Sequence, residues 1–576
     1  MFQLKDDSKR ITILNATGNL LVMGGPGSGK TTIALFKAKE LVENGSLKEA
    51  QKILFLSFAR ATISRVEEQA GNLIPSNIKK SIEINTYHGF IWNILKRHGY
   101  LINNRAITLL PPHEAAVRFS GIEKSKLPAI LDSTFEDEGL VHFDMFARLC
   151  NRLLSESNAL RRIVSDVYPV IILDEFQDTN SDEWDLICTL GKDSCLLALA
   201  DPEQRIYDFR GADPKRITDF IEQFKPTIVD FGTENNRSTG TDIVQYGNDL
   251  LAQNNHEKTY NNVIVQEYPS VVAALKHYHL KYILLRERAK LIKASPDKWS
   301  IAILVPTNSL MLEVSDFLQK VQKVRSDHEL PAVAHEVAIE TAGPSLAALF
   351  VATLLSQGSI RECTATSLLT TLLSHILGRK GTHAPTKADT TFCDAIKRYL
   401  LSGKVSGKNR KALIEECQVL ANTVNQIVFT GNIIADWKTA VDSIKSCSSI
   451  YLKQIASDVK YLRLLQKGSQ LYVAFDSLWR QSYSYNGAVE AVSLALTQEH
   501  FSMSTKTWDG ISIMTIHKAK GKEFDIVIIY EGRYQNRIVS KPDRIDQARL
   551  NLRVAVTRAK RKAIVLTPEE DPCPLL

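Results

Sequence analysis

The sequence predicts an α/β protein with doubly wound parallel sheets, each interrupted by a mainly helical insertion. Short apolar runs alternate with helix-patterned segments over residues 1–90 and 160–240, as in parallel sheets that carry helices on both faces. The same alternation returns around residues 299–317 and again after residue 510. The 576 residues exceed what one hydrophobic core usually holds, so several domains are expected.

The segments between these regions have helical spacing instead of strand-like runs, which predicts two helical insertions. Within the second sheet domain, we expect the run Ala563–Leu566 to be the strand that closes the sheet. The predicted parts are a first sheet domain of residues 1–90 and 160–240, its insertion 91–159, a second sheet domain of 241–355 and 501–576, and its insertion 356–500.

A complete phosphate-binding loop follows the first predicted strand. The run Asn19–Met23 predicts a strand and Thr32–Leu41 a helix, which is the context that the G-x-x-x-x-G-K-[ST] motif requires. Backbone N–H groups and the helix N-terminus would face a polyanion, with Lys30 at the β- and γ-phosphates and the Thr31 hydroxyl on magnesium. A glycine-rich turn without a ligand is the alternative. The expected nucleotide-binding residues are Gly24, Gly25, Pro26, Gly27, Ser28, Gly29, Lys30, Thr31 and Thr32.

Two adjacent carboxylates end another predicted strand. The β-branched run Val170–Leu173 leads into Asp174 and Glu175, and the C-terminal end of a parallel strand faces the ligand in this class of sheet. Asp174 is therefore expected to hold magnesium, and Glu175 to orient and deprotonate the attacking water. A solvated surface pair is the alternative interpretation of an Asp-Glu dipeptide. With the phosphate loop, the pair predicts hydrolysis of a nucleoside triphosphate with ATP and Mg²⁺ as cofactors.

Composition narrows the class of protein. Hydrophobic content of 44% and charged content of 23% are ordinary for a globular chain, and the net charge of +7 permits a polyanionic partner. The eight cysteines contain no CxxC pair, so we expect free thiols in a reducing compartment and no zinc site. The longest nearly apolar run, Leu346–Leu355, is too short for a bilayer. A cytoplasmic protein without a membrane partner is expected.

The motifs and their order resemble those of UvrD/Rep-type superfamily 1 DNA helicases. The acidic strand continues as Asp174-Glu175-Phe176-Gln177-Asp178, a form typical of that family, and the other blocks follow in the family's order from the phosphate loop to the last twenty residues. This resemblance implies two RecA-like motor domains. The matching segments are Ser57–Ala61, Thr86–Phe90, Ala200–Ala212, Asn235–Ser238, Thr515–Phe524 and Val556–Ala559.

The resemblance also implies roles for single residues. Gln204 would sense the γ-phosphate and the attacking water, which suits an amide that both donates and accepts. Arg237 and Arg558 resemble the family's two arginine fingers, and a guanidinium fork suits a transferring phosphoryl group. Glu523 would meet the ribose. Because the two arginines lie on different motor halves, closure of the cleft would complete the catalytic site.

A further group is expected to contact a single strand of nucleic acid. Aromatic rings beside polar groups that follow the phosphate backbone give binding without sequence preference. The aromatic members would stack on bases, although a core position is the usual alternative for any one aromatic residue. The expected contact residues are Phe58, Thr86, His88, Tyr207, Phe209, Thr515 and His517.

Several positions depart from the family pattern. Ser8 stands where the family commonly has a glutamine that reads adenine, which leaves ATP versus GTP selectivity open. Asn236 replaces a tyrosine that packs on the base, Phe209 replaces a tryptophan, and Arg553 replaces a tyrosine of the last motif. These changes predict a drifted base pocket beside intact phosphate chemistry.

Three functions fit the sequence to different degrees. The first is an ATP-dependent 3′-to-5′ translocase and helicase on single-stranded or tailed duplex DNA, with the polarity taken from the resemblance. The second is a nucleic-acid-sensing ATPase subunit that gates a partner nuclease in repair or phage defence. The short stretch after the last motif, in which we expect no nuclease domain, favours it somewhat. The third, a small-molecule kinase, is disfavoured by the motif order.

Overall fold

The described residues of the computed structural model fall in two compact units. They are residues 8–58, 60–123, 125–204, 213, 215–232, 234, 236–269, 277–296, 298–325, 328–338, 342–379, 385–459, 470–501 and 508–576. The sheet unit comprises 1–95, 147–339 and 503–576, and the helical unit comprises 96–146 and 340–502. The sheet unit thus contains both parallel sheets. The predicted division placed the boundaries of the first insertion at 91 and 159 instead.

The first sheet of the sheet unit has six parallel strands. These strands are β1 Leu20–Met23, β2 Ile53–Ser57, β3 Ile82–Thr86, β6 Val170–Leu173, β7 Cys195–Ala200 and β8 Thr227–Asp230. Their order in the sheet is β3-β2-β6-β7-β1-β8. Its helices are α1 Ser8–Asn15, α2 Lys30–Glu43, α3 Arg60–Leu73, α4 Ser76–Lys79, α5 Tyr87–His98, α9 Phe146–Glu156, α10 Asn158–Val167, α11 Ser181–Leu190 and α12 Arg216–Phe224. Strand β2 is buried along its whole length, as expected for a sheet covered on both faces.

The second sheet is also parallel and six-stranded. Its strands are β9 Val263–Tyr268, β10 Ser300–Val305, β13 Glu336–Val337, β14 Gly510–Thr515, β15 Phe524–Tyr530 and β16 Ala559–Pro568. Their order is β13-β14-β10-β15-β16-β9. A short antiparallel pair, β11 Gln322–Arg325 and β12 His328–Leu330, lies outside this sheet. The helices are α13 Ile243–Ala252, α14 Tyr278–Ala294, α15 Asn308–Leu318 and α24 Ile545–Val556. The predicted α/β class with two doubly wound parallel sheets is confirmed.

The prediction that Ala563–Leu566 closes the second sheet is wrong. Strand β16 lies inside the sheet between β15 and β9, and β9 is the edge strand. The sequence of β9 escaped notice because only its first and last residues are buried. An edge strand with a half-exposed face lacks the continuous apolar run by which buried parallel strands are recognised.

The helical unit is built around one helix whose residues are almost all buried, α16. The elements of the unit are α6 Tyr100–Asn103, α7 Pro112–Arg118, α8 Leu127–Glu138, α16 Ala342–Ser359, α17 Ala365–Gly378, α18 Lys387–Ser402, α19 Lys408–Gln426, α20 Ile433–Lys445, α21 Ile450–Val459, α22 Gln470–Ser482, α23 Ala488–Phe501 and the parallel pair β4 Thr108–Leu109 and β5 Leu140–Val141. Helix α16 packs against α17, α19, α20, α21 and α23, and it contains the apolar run Leu346–Leu355 noted in the sequence. Among the helices that the structure describes, none combines the length and the apolar character that a bilayer crossing requires.

The turn before α20 brings backbone and side chain very close in the helical unit's core. Gly431 has a φ of +81°, and a Cβ built there would lie 2.2 Å from Nε1 of Trp479. The buried carboxylate of Asp436 accepts hydrogen bonds from the backbone N–H groups of Thr430 and Gly431, and from the Tyr485 hydroxyl at 2.7 Å. A side chain at position 431 would therefore push against an indole that cannot retreat freely.

Gly431→Ala is expected to destabilise the helical unit by about 2–4 kcal/mol, because left-handed backbone strain adds to overpacking. Gly403→Ala is the matched control, since Gly403 has a φ of +69° but no atom within 4 Å of its Cβ position; about 1 kcal/mol is expected there. Urea midpoints followed by tryptophan fluorescence measure both. Equal midpoints for the two variants would contradict the packing argument.

Candidate nucleotide site

The phosphate-binding loop joins β1 to α2 within the sheet unit. Gly29 takes a left-handed conformation with a φ of +93° at the start of the helix, which favours glycine. At Gly24, a Cβ would lie 2.8 Å from Oγ of Ser28 and 3.0 Å from Cβ of Phe231. The loop is thus folded tightly enough that glycine is needed at both ends.

Asn236 holds this loop from the segment that follows β8. Its backbone N–H donates to the Gly27 carbonyl at 2.7 Å, and its side-chain amide donates to the Ser28 carbonyl at 3.3 Å. Gly25 N–H donates to the Gly232 carbonyl at 3.1 Å. The residue that replaces the family's tyrosine therefore ties the loop to the first sheet through hydrogen bonds.

The Lys30 ammonium points back into the loop. Its Nζ donates to the carbonyls of Gly24 at 2.5 Å and Gly25 at 3.1 Å. Burial lowers the pKa of Lys30, while the nearby carboxylates of Asp201, Glu175 and Asp174 act in the opposite direction. A cation surrounded by three carboxylates is what the strand ends of β6 and β7 would present to a phosphate group. Thr31 and Thr32 follow in the first turn of α2 and are partly exposed.

The acidic pair lies at the carboxyl end of β6, as the sequence predicts. Asp174 is buried, donates its N–H to the Leu56 carbonyl at 2.8 Å and accepts from the Ser57 hydroxyl at 3.2 Å. Glu175 has a left-handed backbone with a φ of +55°, a conformation that costs a non-glycine residue on the order of 1 kcal/mol. Such strain is typical of residues held in place for function.

Gln177 fixes the Glu175 carboxylate. Its side-chain amide donates to Oε2 of Glu175 at 2.7 Å, and its amide oxygen accepts from the Asp201 N–H at 2.9 Å. Burial alone would raise the pKa of Glu175, but the positive charges of Lys520, Lys30 and Arg558 and the bond from Gln177 hold that pKa below the ordinary glutamate value. Glu175 is therefore ionised at neutral pH.

Lys520 is a site residue to which sequence reasoning gave no role. It follows β14 in the second sheet, is buried, and places its Nζ 2.5 Å from Oδ2 of Asp178 and 3.8 Å from Oε2 of Glu175. Its position inside the motif Thr515–Phe524 was the available signal. Only the fold shows which carboxylates it neutralises, because Asp178 is 342 residues away in sequence.

The two predicted finger arginines lie on either side of Glu523 and Thr557. Nε of Arg237 lies 2.8 Å from Oε1 of Glu523, and its Nη1 donates to the Thr557 carbonyl at 3.3 Å. Arg558 is buried and donates from Nε to the Val554 carbonyl at 3.0 Å. The structure thus brings Arg237, Arg558 and Glu523 together, and Glu523 is paired with Arg237 here.

The residues expected to hold magnesium fit that ion. Thr31 opens α2 and Asp174 ends the neighbouring acidic strand, offering a hydroxyl and a carboxylate oxygen. Mg²⁺ in nucleotide sites is usually held by one or two such protein oxygens together with substrate phosphates. In the part of the chain that the structure describes, no group of three or more His, Cys, Asp or Glu is arranged as a metal site of the protein's own.

The expected nucleic-acid contacts lie after strands of both sheets. Phe58 follows β2 and stacks on Tyr87, with ring centroids 4.1 Å apart; Thr86 ends β3 and its hydroxyl accepts from the Gly89 N–H at 2.9 Å. His88 and His517 are partly exposed, and Thr515 is buried at the end of β14. Tyr207, Phe209 and the side chain of Gln204 lie outside the described residues.

Arg553 links the two sheets at a second point. This arginine of α24 is 1% exposed, donates from Nη2 to Oε2 of Glu203 at 2.6 Å and to Oδ1 of Asn248 at 3.3 Å, and from Nη1 to the Glu203 carbonyl at 3.3 Å. Glu203 belongs to the turn after β7 that ends at Gln204. The residue that departs from the family's tyrosine thus clamps the segment that carries the expected γ-phosphate sensor.

The fold and this site define a phosphate-loop NTPase with two RecA-like parallel sheets. Residues 5–128 and 122–225 match the UvrD/REP helicase N-terminal domain, and residues 510–566 match the UvrD-like helicase C-terminal domain. The chain belongs to the UvrD/Rep-type helicase family. The predicted family is thereby confirmed.

Individual relatives are more distant. The chain is 25% identical over 285 residues to the ATP-dependent DNA helicase Rep of Escherichia coli, a match that covers 42% of each chain. It is 23% identical over 297 residues to DNA helicase II of the same organism, covering 43% of this chain and 40% of that one. A match to the A subunit of the ATP-dependent helicase/nuclease of Lactococcus lactis, at 24% identity, covers 70% of this chain and 36% of the relative. The chain spans less than half the length of these curated relatives.

Replacing Arg553 by lysine is expected to lower the apparent free energy of unfolding by about 1–3 kcal/mol, because an ammonium cannot satisfy the three oxygens that the guanidinium fork reaches. Glu203→Gln is expected to cost less than about 1 kcal/mol, since the Glu203 side chain is 55% exposed and its ion pair is screened by water. Urea midpoints measure both. Arg537→Lys, at a more exposed pair with Asp571, is the matched control, and an equal loss there would contradict the argument.

Proposed function

We propose that the protein is an ATP-dependent DNA translocase and helicase that hydrolyses ATP with Mg²⁺ and couples hydrolysis to closure of its two motor sheets. One observation carries this proposal: the carboxylate of Glu175 on the first sheet lies in the field of cations from both sheets, Lys30 on one side and Lys520 and Arg558 on the other. The 3′-to-5′ polarity follows from the family resemblance.

Glu175 is the general base of the proposed reaction. The bond from Gln177 orients its carboxylate, and the surrounding cations keep it ionised, so it can accept a proton from the attacking water. Lys30 would exchange its two loop carbonyls for the β- and γ-phosphate oxygens, which are stronger acceptors for an ammonium. Magnesium held by Thr31 and Asp174 would neutralise charge on the same phosphates.

The two arginines provide the proposed link to motion. Arg237 pairs with Glu523 and the Thr557 carbonyl, beside Arg558, so residues that follow strands of different sheets meet in one place. A nucleotide between them would draw both guanidinium groups toward the γ-phosphate and stabilise charge in the transition state. Gln204, held in place through Glu203 and Arg553, would sense that phosphate from the first sheet.

The proposed DNA path follows the carboxyl edges of the strands. Phe58, Thr86 and His88 follow β2 and β3, and Thr515 and His517 follow β14, which supports a single strand that crosses both sheets. Tyr207 and Phe209 belong to the same proposal by resemblance. The matched Rep protein and DNA helicase II are both named as DNA helicases.

A second candidate function is favoured by one comparison. The match that covers most of this chain is to one component of a helicase/nuclease, and a component of that kind would sense DNA and gate a nuclease instead of unwinding alone. The two proposals share one active site. They differ in whether strands separate without a partner protein.

Lys30→Met and Glu175→Gln are each expected to reduce phosphate release from ATP at least about 100-fold, because one removes a phosphate contact and the other the general base. Single-stranded DNA should stimulate the wild-type protein, and GTP assayed in parallel reports base selectivity. Unwinding of a 3′-tailed duplex supports a helicase, while stimulation without unwinding supports the gating function. Near-wild-type turnover in both variants would refute the site.

Lys520→Met is expected to raise the pKa of Glu175, because Lys520 contributes the largest positive field at that carboxylate. The base works only when deprotonated, so the acid limb of the rate profile should move to higher pH, with a larger loss at pH 6 than at pH 8. Lys520→Arg keeps the charge and should keep the profile. Lys522→Met, in the same motif but bonded to the Lys518 carbonyl, is the control; a shift there, or none for Lys520→Met, would contradict the assignment.

A further inference from the structure

A compact loop follows β15 and presents an exposed aromatic ring. We define the Tyr534 loop as residues 531–538. Tyr534 is 75% exposed and has a left-handed backbone with a φ of +57°. A large ring held out in solvent by a strained backbone costs free energy that packing does not return, and such strain is concentrated at ligand clamps.

Hydrogen bonds inside and below the loop keep this conformation. Gly532 N–H donates to the Asn536 carbonyl at 2.8 Å, and Asn536 N–H donates to the Arg533 carbonyl at 3.2 Å. The side chain of Asn536 accepts from the Thr307 hydroxyl at 2.6 Å. The base of the loop is fixed by the buried Glu531, which accepts from the Ile538 N–H at 2.8 Å and the Thr567 hydroxyl at 2.6 Å. The ring is therefore displayed by a preorganised turn.

The surroundings of the ring are cationic. The Arg533 guanidinium lies 5.3 Å from the Tyr534 ring centroid, and its Nε is buried with no hydrogen-bond partner among the described residues. Residues 533–544 contain four arginines and lysines against one aspartate. Arg537 is paired with Asp571, whereas Lys541 and Arg544 are exposed and form no ion pair within the described part of the chain. The local charge suits a polyanion.

The position of the loop fits the proposed DNA path. Strand β15 is separated from β14 by β10 alone, so at about 4.8 Å per strand the ends of β14 and β15 lie roughly 10 Å apart. Thr515 and His517 follow β14 at the same carboxyl edge of the parallel sheet. Thr307, which bonds the loop, follows β10 between them.

We propose that Tyr534, with Arg533 beside it, is a stacking platform for a base of single-stranded nucleic acid on the second motor sheet. The inference deepens the proposed function and rests on it. An aromatic ring beside guanidinium and ammonium groups is the arrangement by which proteins bind single strands without reading sequence. A ring that docks a protein partner instead would leave strand binding unchanged on removal.

The test is the affinity of the full chain for a fluorescein-labelled oligothymidylate, measured by anisotropy at one fixed salt concentration. Tyr534→Ala should weaken binding about 5- to 100-fold, the range of one lost stacking contact, while Tyr534→Phe should stay within about twofold because the π-face remains. Tyr483→Ala is the matched control, since Tyr483 is 80% exposed with a φ of +50° on the helical unit and should bind as wild type. Thermal unfolding midpoints check that each variant is folded.

Wild-type binding that Tyr534→Ala leaves unchanged would overturn this inference alone. Equal weakening by Tyr534→Ala and Tyr483→Ala would overturn it as well, because exposed tyrosines in general would then account for the loss. A wild-type protein that binds no strand, at concentrations where ATP hydrolysis is measurable, would sink the proposed function together with the platform.

Discussion

The structure depends on how buried carboxylates at the strand ends are neutralised. Asp174, Glu175, Asp178 and Asp201 lie within a few residues of the ends of β6 and β7, in a cleft where isolated charges are costly. The first sheet supplies Lys30, and the remaining positive charge comes from the second sheet. Pairing of charges thus forces two separately folded sheets to meet at one edge, because neither sheet satisfies that edge alone.

Two of the links are specific to this chain within its family. Asn236 bonds the phosphate loop where a tyrosine would otherwise pack on the base, and Arg553 clamps Glu203 where another tyrosine is usual. Both changes exchange an aromatic contact for directional hydrogen bonds. The phosphate side of the site is thereby held firmly, while the side that would recognise the base loses an aromatic surface, which is why selectivity among nucleotides is a separate question from hydrolysis.

The sequence carries most of the fold because parallel strands buried on both faces leave continuous apolar runs, as β2, β6 and β15 do. It does not reveal β9, whose half-exposed edge position removes that signal. The phosphate loop and the acidic pair are local motifs and could be placed residue by residue. The partners of Lys520 and Arg553 could not, because the contact of Lys520 with Asp178 joins residues on different sheets and follows only from the way the chain returns on itself.

The chemistry of these contacts also explains why the two sheets can move apart and together. Lys30, Arg237, Lys520 and Arg558 are satisfied by carbonyls and carboxylates of the protein itself, and a triphosphate offers the same kind of acceptor with more charge. Ligand oxygens can therefore replace protein oxygens one for one, without exposing apolar surface. Apolar packing across the cleft would instead resist opening, so a cleft joined by exchangeable ion pairs is the arrangement that a nucleotide-driven motor requires.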